Sequence, residues 1–355
     1  MADKVKVLVI GVGNMGRSHA MAYHQMDGFE IVGLVSPSIE TRELPADLQG
    51  YAKFTDFDAA MAATSPDAVS INTYPDTHAD FALKAFDAGC HVFMEKPIAT
   101  NAEDAQKIVD AARAKDRALV IGYILRVHPA WQEFIGRAQT LGKPLVMRMN
   151  LNQQSKGEAW GWHRNLMESL TPLVDCGVHY VDVMCQMTGA KPVRVHGIGA
   201  KLSAETKMQN YGHLHVEFDD GSVGWYEAGW GPMMSEVAFF VKDVVGPNGH
   251  VSIVPKQGAD AASSDDIDSH TATNALLVHS AELDENDNFV NEDEWISMAD
   301  EPGHDELCYR EQEVFYKAIR GEIDLTEHMD SAVNSLKIVL AADESIKKGA
   351  VVEMN

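Results

Sequence analysis

Short apolar runs punctuate the first third of this 355-residue chain at residues 5–10, 30–35, 68–71, 91–94 and 118–121. None is long enough for a helix, so each reads as a strand buried on both faces. Between them lie stretches of helical spacing at 17–26, 78–88 and 102–113, with a shorter strand and helix at 53–58 and 59–63. Strand and helix patterns that alternate in this way predict a doubly wound α/β domain. Asp76 or Thr77 is placed to cap the helix from 78, and Gly89 to end it. Thr100-Asn101-Ala102-Glu103 reads as a capping box for the next one.

The first strand runs straight into Gly11-Val12-Gly13-Asn14-Met15-Gly16 and then a helix. In that setting G-x-G-x-x-G predicts a dinucleotide site. Gly11 allows the tight turn, Gly13 the close approach of a pyrophosphate and Gly16 the packing of helix on strand. The helix N-terminus adds amide donors and a favourable dipole. The end of the second strand selects the cofactor. An NAD site places a carboxylate there, on the ribose 2′-hydroxyl. This chain has Ser36-Pro37-Ser38, with Thr41 and Arg42 beyond. Two hydroxyls and a guanidinium suit a 2′-phosphate, so the cofactor is NAD(P), with a lean to NADP and the choice open. His78, at a strand end near the same crevice, is either a site residue or a packed one. The strand at 91–94 ends abruptly in Glu95-Lys96-Pro97. Proline cannot extend the ladder, and the carboxyl ends of parallel strands are where ligands bind. Lys96 is a candidate catalytic group, with a salt bridge to Glu95 as the alternative. Its bond to Pro97 is a candidate cis peptide.

Later in the chain the pattern changes. Residues 145–152, 193–201, 213–219, 223–228 and 236–244 read as strands of a meander, which predicts an open, mostly antiparallel sheet. His213, His215 and Glu217 share one face of their strand and read as a solvated sheet face rather than a metal site. Trp160-Gly161-Trp162-His163-Arg164-Asn165 reads as a polar, aromatic loop whose rings either stack on a sugar, with Arg164 bonding its hydroxyls, or simply pack beside a solvated arginine. The run 173–187 has helical period, with Val174, Val178, Val181 and Met184 on one side. Asp175 and His179, four apart, share another face, with Asp182 a turn further on. That spacing is either a local hydrogen bond or, beside a dinucleotide fold, a proton-transfer pair. Between Lys256 and Arg310 there is no lysine or arginine, and Ser263-Ser264 and Asp284-Glu285-Asn286-Asp287-Asn288 read as solvated loop. Helices at 309–320, with Val314, Phe315, Ala318 and Ile319 on a buried stripe, and at 329–347 close the chain.

The segments Gly11-Val12-Gly13-Asn14-Met15-Gly16-Arg17-Ser18-His19 and Ala88-Gly89-Cys90-His91-Val92-Phe93-Met94-Glu95-Lys96-Pro97 resemble the Gfo/Idh/MocA family. Gly122-Tyr123-Ile124-Leu125-Arg126-Val127-His128-Pro129 is similar to the segment that leaves the family's nucleotide domain, and Asp175-Cys176-Gly177-Val178-His179-Tyr180-Val181-Asp182 to its D-x-G-x-H-x-x-D helix. Ser169-Leu170-Thr171-Pro172 departs from the family's Gly-Gly pair, and Thr73-Tyr74-Pro75 from its Thr-Pro-Asn. The resemblance implies a Rossmann domain over residues 1–125 and a substrate-binding and oligomerisation domain over 126–355, with the last helix open to packing back on the first. It implies catalysis by Lys96, Asp175 and His179. On these motifs the candidate cofactor contacts are Gly11, Gly13, Asn14, Met15, Gly16, Ser36, Ser38, Arg42, Thr73, His78, Glu95, Lys96 and Arg126. The candidate substrate contacts are Lys96, Tyr123, Trp162, His163, Arg164, Asp175 and His179. No metal is implied. The expected activity is hydride transfer between a nicotinamide cofactor and a secondary alcohol of a sugar, polyol or related carbohydrate. An NAD-dependent glycosidase and a non-catalytic cofactor sensor are the alternatives. Homodimers or homotetramers are expected.

Composition narrows this little further. The net charge of -24 argues against nucleic acid and against an anionic membrane surface as partners. Cys90, Cys176, Cys185 and Cys308 lack metal-ligand spacing and read as reduced thiols of a cytoplasmic protein. No apolar run is long enough to span a bilayer, and no signal peptide is visible.

Overall fold

The computed structural model describes residues 3–236, 238, 240–254, 264 and 270–354. Its helices are α1 (Asn14–Gln25), α2 (Phe57–Thr64), α3 (His78–Asp87), α4 (Ala102–Ala114), α5 (Pro129–Gln139), α6 (Gly157–Leu166), α7 (Pro172–Asp175), α8 (Gly177–Thr188), α9 (His304–Ile319) and α10 (Thr326–Lys348). Its strands are β1 (Val5–Ile10), β2 (Phe29–Val35), β3 (Lys53–Phe54), β4 (Ala68–Ile71), β5 (His91–Met94), β6 (Leu119–Ile121), β7 (Val146–Gln153), β8 (Pro192–Ala200), β9 (Tyr211–Phe218), β10 (Val223–Trp230), β11 (Lys242–Gly246), β12 (Gly249–Val254), β13 (Ala275–Ser280), β14 (Glu294–Ser297) and β15 (Val352–Glu353). They fall into two compact units, Met1–Ile124 with His304–Val333, and Leu125–Gly303 with Asn334–Asn355. Among the described residues no helix is long and apolar enough to cross a membrane.

The first unit holds a parallel sheet in the order β3-β2-β1-β4-β5-β6. Strands β1, β4, β5 and β6 are almost wholly buried apolar residues, as a sheet covered on both faces requires. The order reverses between β1 and β4, which makes their carboxyl ends the switch point where ligands bind in open α/β sheets. This is the Rossmann arrangement expected. Three local expectations differ. Helix α3 has no side-chain cap. A 3-10 turn at Pro75–Thr77 precedes it, and the Thr77 hydroxyl donates to the Tyr74 carbonyl oxygen at 2.8 Å. Helix α4 is capped by Asn101, one residue later than the box predicted, because its carboxamide oxygen reaches the Asp104 amide at 2.8 Å. Helix α9 starts at His304, and its buried face is Leu307, Cys308, Glu311, Gln312 and Phe315; Val314, Ala318 and Ile319 are only half-buried. Phe315 stacks on Phe29 with ring centroids 6.1 Å apart.

In the second unit nine strands lie in the order β14-β13-β12-β11-β7-β10-β9-β8-β15. Only β7 and β10 run parallel among these pairs, so the sheet is mostly antiparallel as expected. Leu214, Val216 and Phe218 of β9 are buried, while His213, His215 and Glu217 point to the other, solvated side. A Cβ on Gly197 of β8 would lie 2.3 Å from the Ala342 carbonyl oxygen, and Ser345 Oγ accepts from the Gly197 amide at 2.9 Å. That glycine lets the last two-thirds of α10 lie directly on the sheet. Strands β13 and β14 extend the sheet through the acidic stretch read as loop-rich. Asp284 and its neighbours form the expected exposed turn, with Asp284 Oδ1 accepting the amides of Asn286 and Asn288. Ser264 is instead fully buried, its hydroxyl accepting from the Gln154 amide at 2.7 Å. Ser263, and Val237 and Phe239 of the strand expected at 236–244, lie outside the described residues; β11 begins at Lys242.

Candidate active site

The turn between β1 and α1 is shaped by backbone demands. Gly11 has φ +78°, and a Cβ on it would lie 2.4 Å from the Asn72 carbonyl oxygen. A Cβ on Gly16 would lie 1.7 Å from the Gly11 carbonyl oxygen, so only glycine lets the helix sit this close. Gly13 differs. Nothing lies within 4 Å of its Cβ position. It is the N-cap of α1, no side chain caps that helix, and no acid occupies its first turn. The first-turn amides are therefore left for an external acceptor, and the dipole favours an anion. Arg17 donates to Asn14 Oδ1 at 2.7 Å, which brings a guanidinium to the same turn, and Met15 is half-buried beside it. These features fit the pyrophosphate of a dinucleotide.

Beyond β2, Ser36 Oγ lies 3.3 Å from Ser38 Oγ, and Arg42 donates to Ser38 Oγ at 3.2 Å. The three residues proposed for the adenosine end thus form one cluster, with no carboxylate among its hydrogen bonds to the described residues. At the end of β4, Thr73 Oγ1 is 2.6 Å from Thr77 Oγ1. His78 is fully buried, with Nδ1 2.9 Å from the Pro97 carbonyl oxygen and Nε2 3.1 Å from that of Thr73. Burial pushes its pKa below the ordinary imidazole value. A neutral ring has one N–H, so it serves one of these two carbonyls at a time. His78 ties the loop after β4 to the loop after β5.

That second loop carries Glu95 and Lys96. The Lys96–Pro97 bond is cis. Glu95 is buried, its Oε1 2.8 Å from His19 Nε2 and its Oε2 accepting the Lys96 amide at 3.2 Å. A Cβ on Gly122 would touch the Glu95 carboxyl group at 3.4 Å. The carboxylate therefore points into the protein while Lys96 stays half-buried at the strand end. Tyr123 is buried with its ring 6.1 Å from that of His328. His19 and Gly122 are not singled out by the sequence, although each lies inside one of the quoted motifs.

In the second unit the expected single helix at 173–187 is two. Thr171 caps α7, its Oγ1 accepting the Val174 amide, and Pro172 occupies the first position. The chain breaks at Cys176–Gly177, where the His179 amide turns back to the Cys176 carbonyl oxygen at 3.2 Å. A Cβ on Gly177 would meet Val339 at 3.1 Å and Tyr226 at 3.2 Å, which is why the second helix starts on a glycine. Asp175, buried, ends α7, and His179, half-buried, lies in the first turn of α8. Cys176 Sγ lies 3.7 Å from Asp175 Oδ2 and 3.9 Å from Gln153 Oε1. Trp230 Nε1 donates to the same Gln153 oxygen at 2.6 Å. Gln153 and Trp230 are paired residues at the carboxyl ends of the parallel strands β7 and β10. Sequence reading missed both. Arg126, expected on the cofactor, forms a two-pronged ion pair with Asp182 at 2.8 and 2.7 Å.

The segment at 160–165 is not a loop but part of α6. Trp160, His163 and Leu166 form its buried stripe, three residues apart, and Trp162 is 46% exposed. His163 stacks on Trp230 at 4.4 Å and bonds Ser155 Oγ at 2.9 Å. Arg164 pairs with Glu205. The three successive candidates Trp162, His163 and Arg164 thus leave the helix in different directions.

Two family models match the chain. The oxidoreductase family with NAD-binding Rossmann fold, GFO/IDH/MocA, matches residues 5–123, and the GFO/IDH/MocA C-terminal domain matches residues 135–243. UDP-N-acetylglucosamine 3-dehydrogenase of Acidithiobacillus ferrooxidans is 32% identical over 61% of this chain and 64% of its own length. The NAD(+) scyllo-inositol 2-dehydrogenase of Bacillus subtilis is 27% identical over 64% of this chain and 68% of its own. The chain thus spans just under two thirds of the first relative's length. A dehydrogenase from Bordetella pertussis, solved in complex with NADH and UDP-GlcNAcA, superposes with a TM-score of 0.77 at 18% identity, covering 99% of each chain. At that identity the likeness is one of fold.

Proposed function

The chain belongs to the GFO/IDH/MocA oxidoreductase family, and from that premise we propose that it moves a hydride between a nicotinamide dinucleotide and a secondary alcohol of a sugar, polyol or related carbohydrate. One observation carries the reading. The open, uncapped glycine turn at the end of β1 and the half-buried Lys96 at the end of β5 belong to the carboxyl edge of one parallel sheet. Gly11, Gly13 and Gly16 would hold the pyrophosphate on the α1 amides, which gives the nicotinamide nucleotide that takes up or releases the hydride its place. In the oxidative direction the His179 imidazole takes the hydroxyl proton. The Lys96 ammonium donates a hydrogen bond to the same substrate oxygen and stabilises its developing negative charge. Asp175 orients the hydroxyl and balances the lysine charge.

The Ser36, Ser38 and Arg42 cluster supports a preference for NADP, since it offers two hydroxyls and a guanidinium to a 2′-phosphate. Fluorescence titration is expected to give tighter binding of NADPH than of NADH, and Arg42→Glu is expected to reverse the order. Equal or tighter NADH binding by the wild type would overturn the preference. The same reading places the protein in the cytoplasm as a homodimer or homotetramer. A panel of sugars, nucleotide sugars and polyols assayed with both nucleotides tests the activity. Net accumulation of reduced nicotinamide with one class supports it. Cleavage of a glycoside without net cofactor reduction would replace it with the glycosidase.

A further inference from the structure

We infer that Tyr23, Gln312 and His19 are positioning residues that fix the Glu95–Lys96 strand end and, through it, the place of the Lys96 ammonium; this rests on the role of Lys96 proposed above. Four contacts run in series. Tyr23 Oη donates to Gln312 Oε1 at 2.5 Å. Burial holds that phenol far above its usual range, so it is a donor at any pH of interest. The contact orients the Gln312 carboxamide, whose Nε2 donates to His19 Nδ1 at 2.9 Å. His19 then carries its proton on Nε2 and donates it to Glu95 Oε1 at 2.8 Å. Glu95 Oε2 accepts the main-chain N–H of Lys96 at 3.2 Å.

Tyr23, Gln312, His19 and Glu95 are all buried, and the series crosses α9, α1 and the end of β5, three elements far apart in sequence. The His19 ring also packs on Phe93 of β5 at 4.6 Å, so its orientation is set by packing as well as by bonding. Cys308 and Glu311 lie close by, with ligand atoms that fall, together with one of His19, within 4.8 Å of one another. A metal there would have to displace one of two existing hydrogen bonds, because both His19 nitrogens are occupied. The geometry is that of an ordered donor series, and such series fix one arrangement where a lone ion pair would not. Withdrawing the Nε2 donor removes one of the contacts that orient the Glu95 carboxylate and, through it, the amide that begins the lysine residue. Misplacement of a reacting group by about 1 Å costs on the order of 10²-fold in rate.

The test uses the full chain, NADH and NADPH fluorescence for cofactor binding, and the alcohol identified by the panel for turnover. His19→Ala is expected to lower kcat by roughly 10- to 100-fold while cofactor affinity and KM stay nearly unchanged. His19→Gln is expected to restore most of that loss, because its amide nitrogen reaches the place of the imidazole Nε2 and donates to Glu95. Tyr23→Phe, which removes only the first donor, gives a smaller fall in kcat and serves if His19→Ala does not fold. Wild-type kcat in both His19→Ala and Tyr23→Phe overturns the inference, as does an equal loss in His19→Gln and His19→Ala. Lys96→Ala separates the two levels. If that variant loses turnover while His19→Ala keeps the wild-type kcat, only the positioning role falls; if it turns over normally, the proposed function falls with it.

Discussion

The two units put their candidate chemistry at strand ends built by different means. In the first, the carboxyl edge of an all-parallel sheet is shaped by backbone: positive φ at Gly11, a carbonyl pressed against Gly16 and open space at Gly13. In the second, the one parallel pair among the described strands, β7 and β10, ends in Gln153 and Trp230, and the surroundings of Asp175 are shaped by side chains. Trp230 is held by Gln153 and covered by His163, which is held by Ser155. A backbone-built site fails all at once when a Cβ is added. A side-chain-built site degrades by steps, as each packed or bonded partner is removed.

Substitutions can break this contrast or sharpen it. Gly16→Ala is expected to cost about 4 kcal/mol or more, because no rotamer relieves a Cβ at 1.7 Å from a carbonyl oxygen; a melting temperature close to the wild type would contradict the backbone account. Arg126→Ala leaves Asp182, itself 2% exposed, without its two-pronged partner. A loss of about 3 kcal/mol is expected in urea melts, the scale of breaking a buried pair from one side. Glu311 gives a smaller effect with a distinctive pH signature. Burial, and then the neighbouring Glu95, push its carboxyl well above the usual range. The folded protein keeps a proton that the unfolded chain has lost, so stability falls as pH rises past the ordinary glutamate value. The slope is at most about 1.4 kcal/mol per pH unit, and it lasts until the folded group ionises. Glu311→Gln should therefore gain on the wild type from about pH 5 upward, and parallel melting curves would show that the proton is not held. Gly13→Ala is expected to change stability least, since its Cβ meets nothing, yet to weaken dinucleotide binding. Unaltered affinity would remove Gly13 from the pyrophosphate site.

How much of this was legible in the sequence follows the same divide. The glycine turn and the Lys96-Pro97 break are written in residue types with few conformational alternatives, and the alternation of strand and helix in the first unit in the spacing of apolar residues. Helix α6 has the look of a loop in sequence because Gly161 and polar residues surround its stripe of Trp160, His163 and Leu166. The break between α7 and α8 left no mark, since Cys176 keeps helical angles and Gly177 is needed only for packing against Tyr226 and Val339. The start of α9 is hidden for a related reason. Glu311 and Gln312 sit inside its buried face, and buried polar residues erase an apolar period. The pairing of Arg126 with Asp182 is not legible in the sequence, because the two lie 56 positions apart. Gln153 and Trp230 carry no pattern of their own; only the parallel pairing of their strands brings them together.

In the proposed function Lys96 acts on substrate beside a dinucleotide held by the glycine turn. The most direct measurement compares wild type and Lys96→Ala, with nicotinamide nucleotide binding followed by fluorescence and turnover followed on the alcohol found by the panel. The expected result is nearly unchanged nucleotide binding with kcat reduced by about 10²- to 10⁴-fold. Turnover at the wild-type rate would contradict the account.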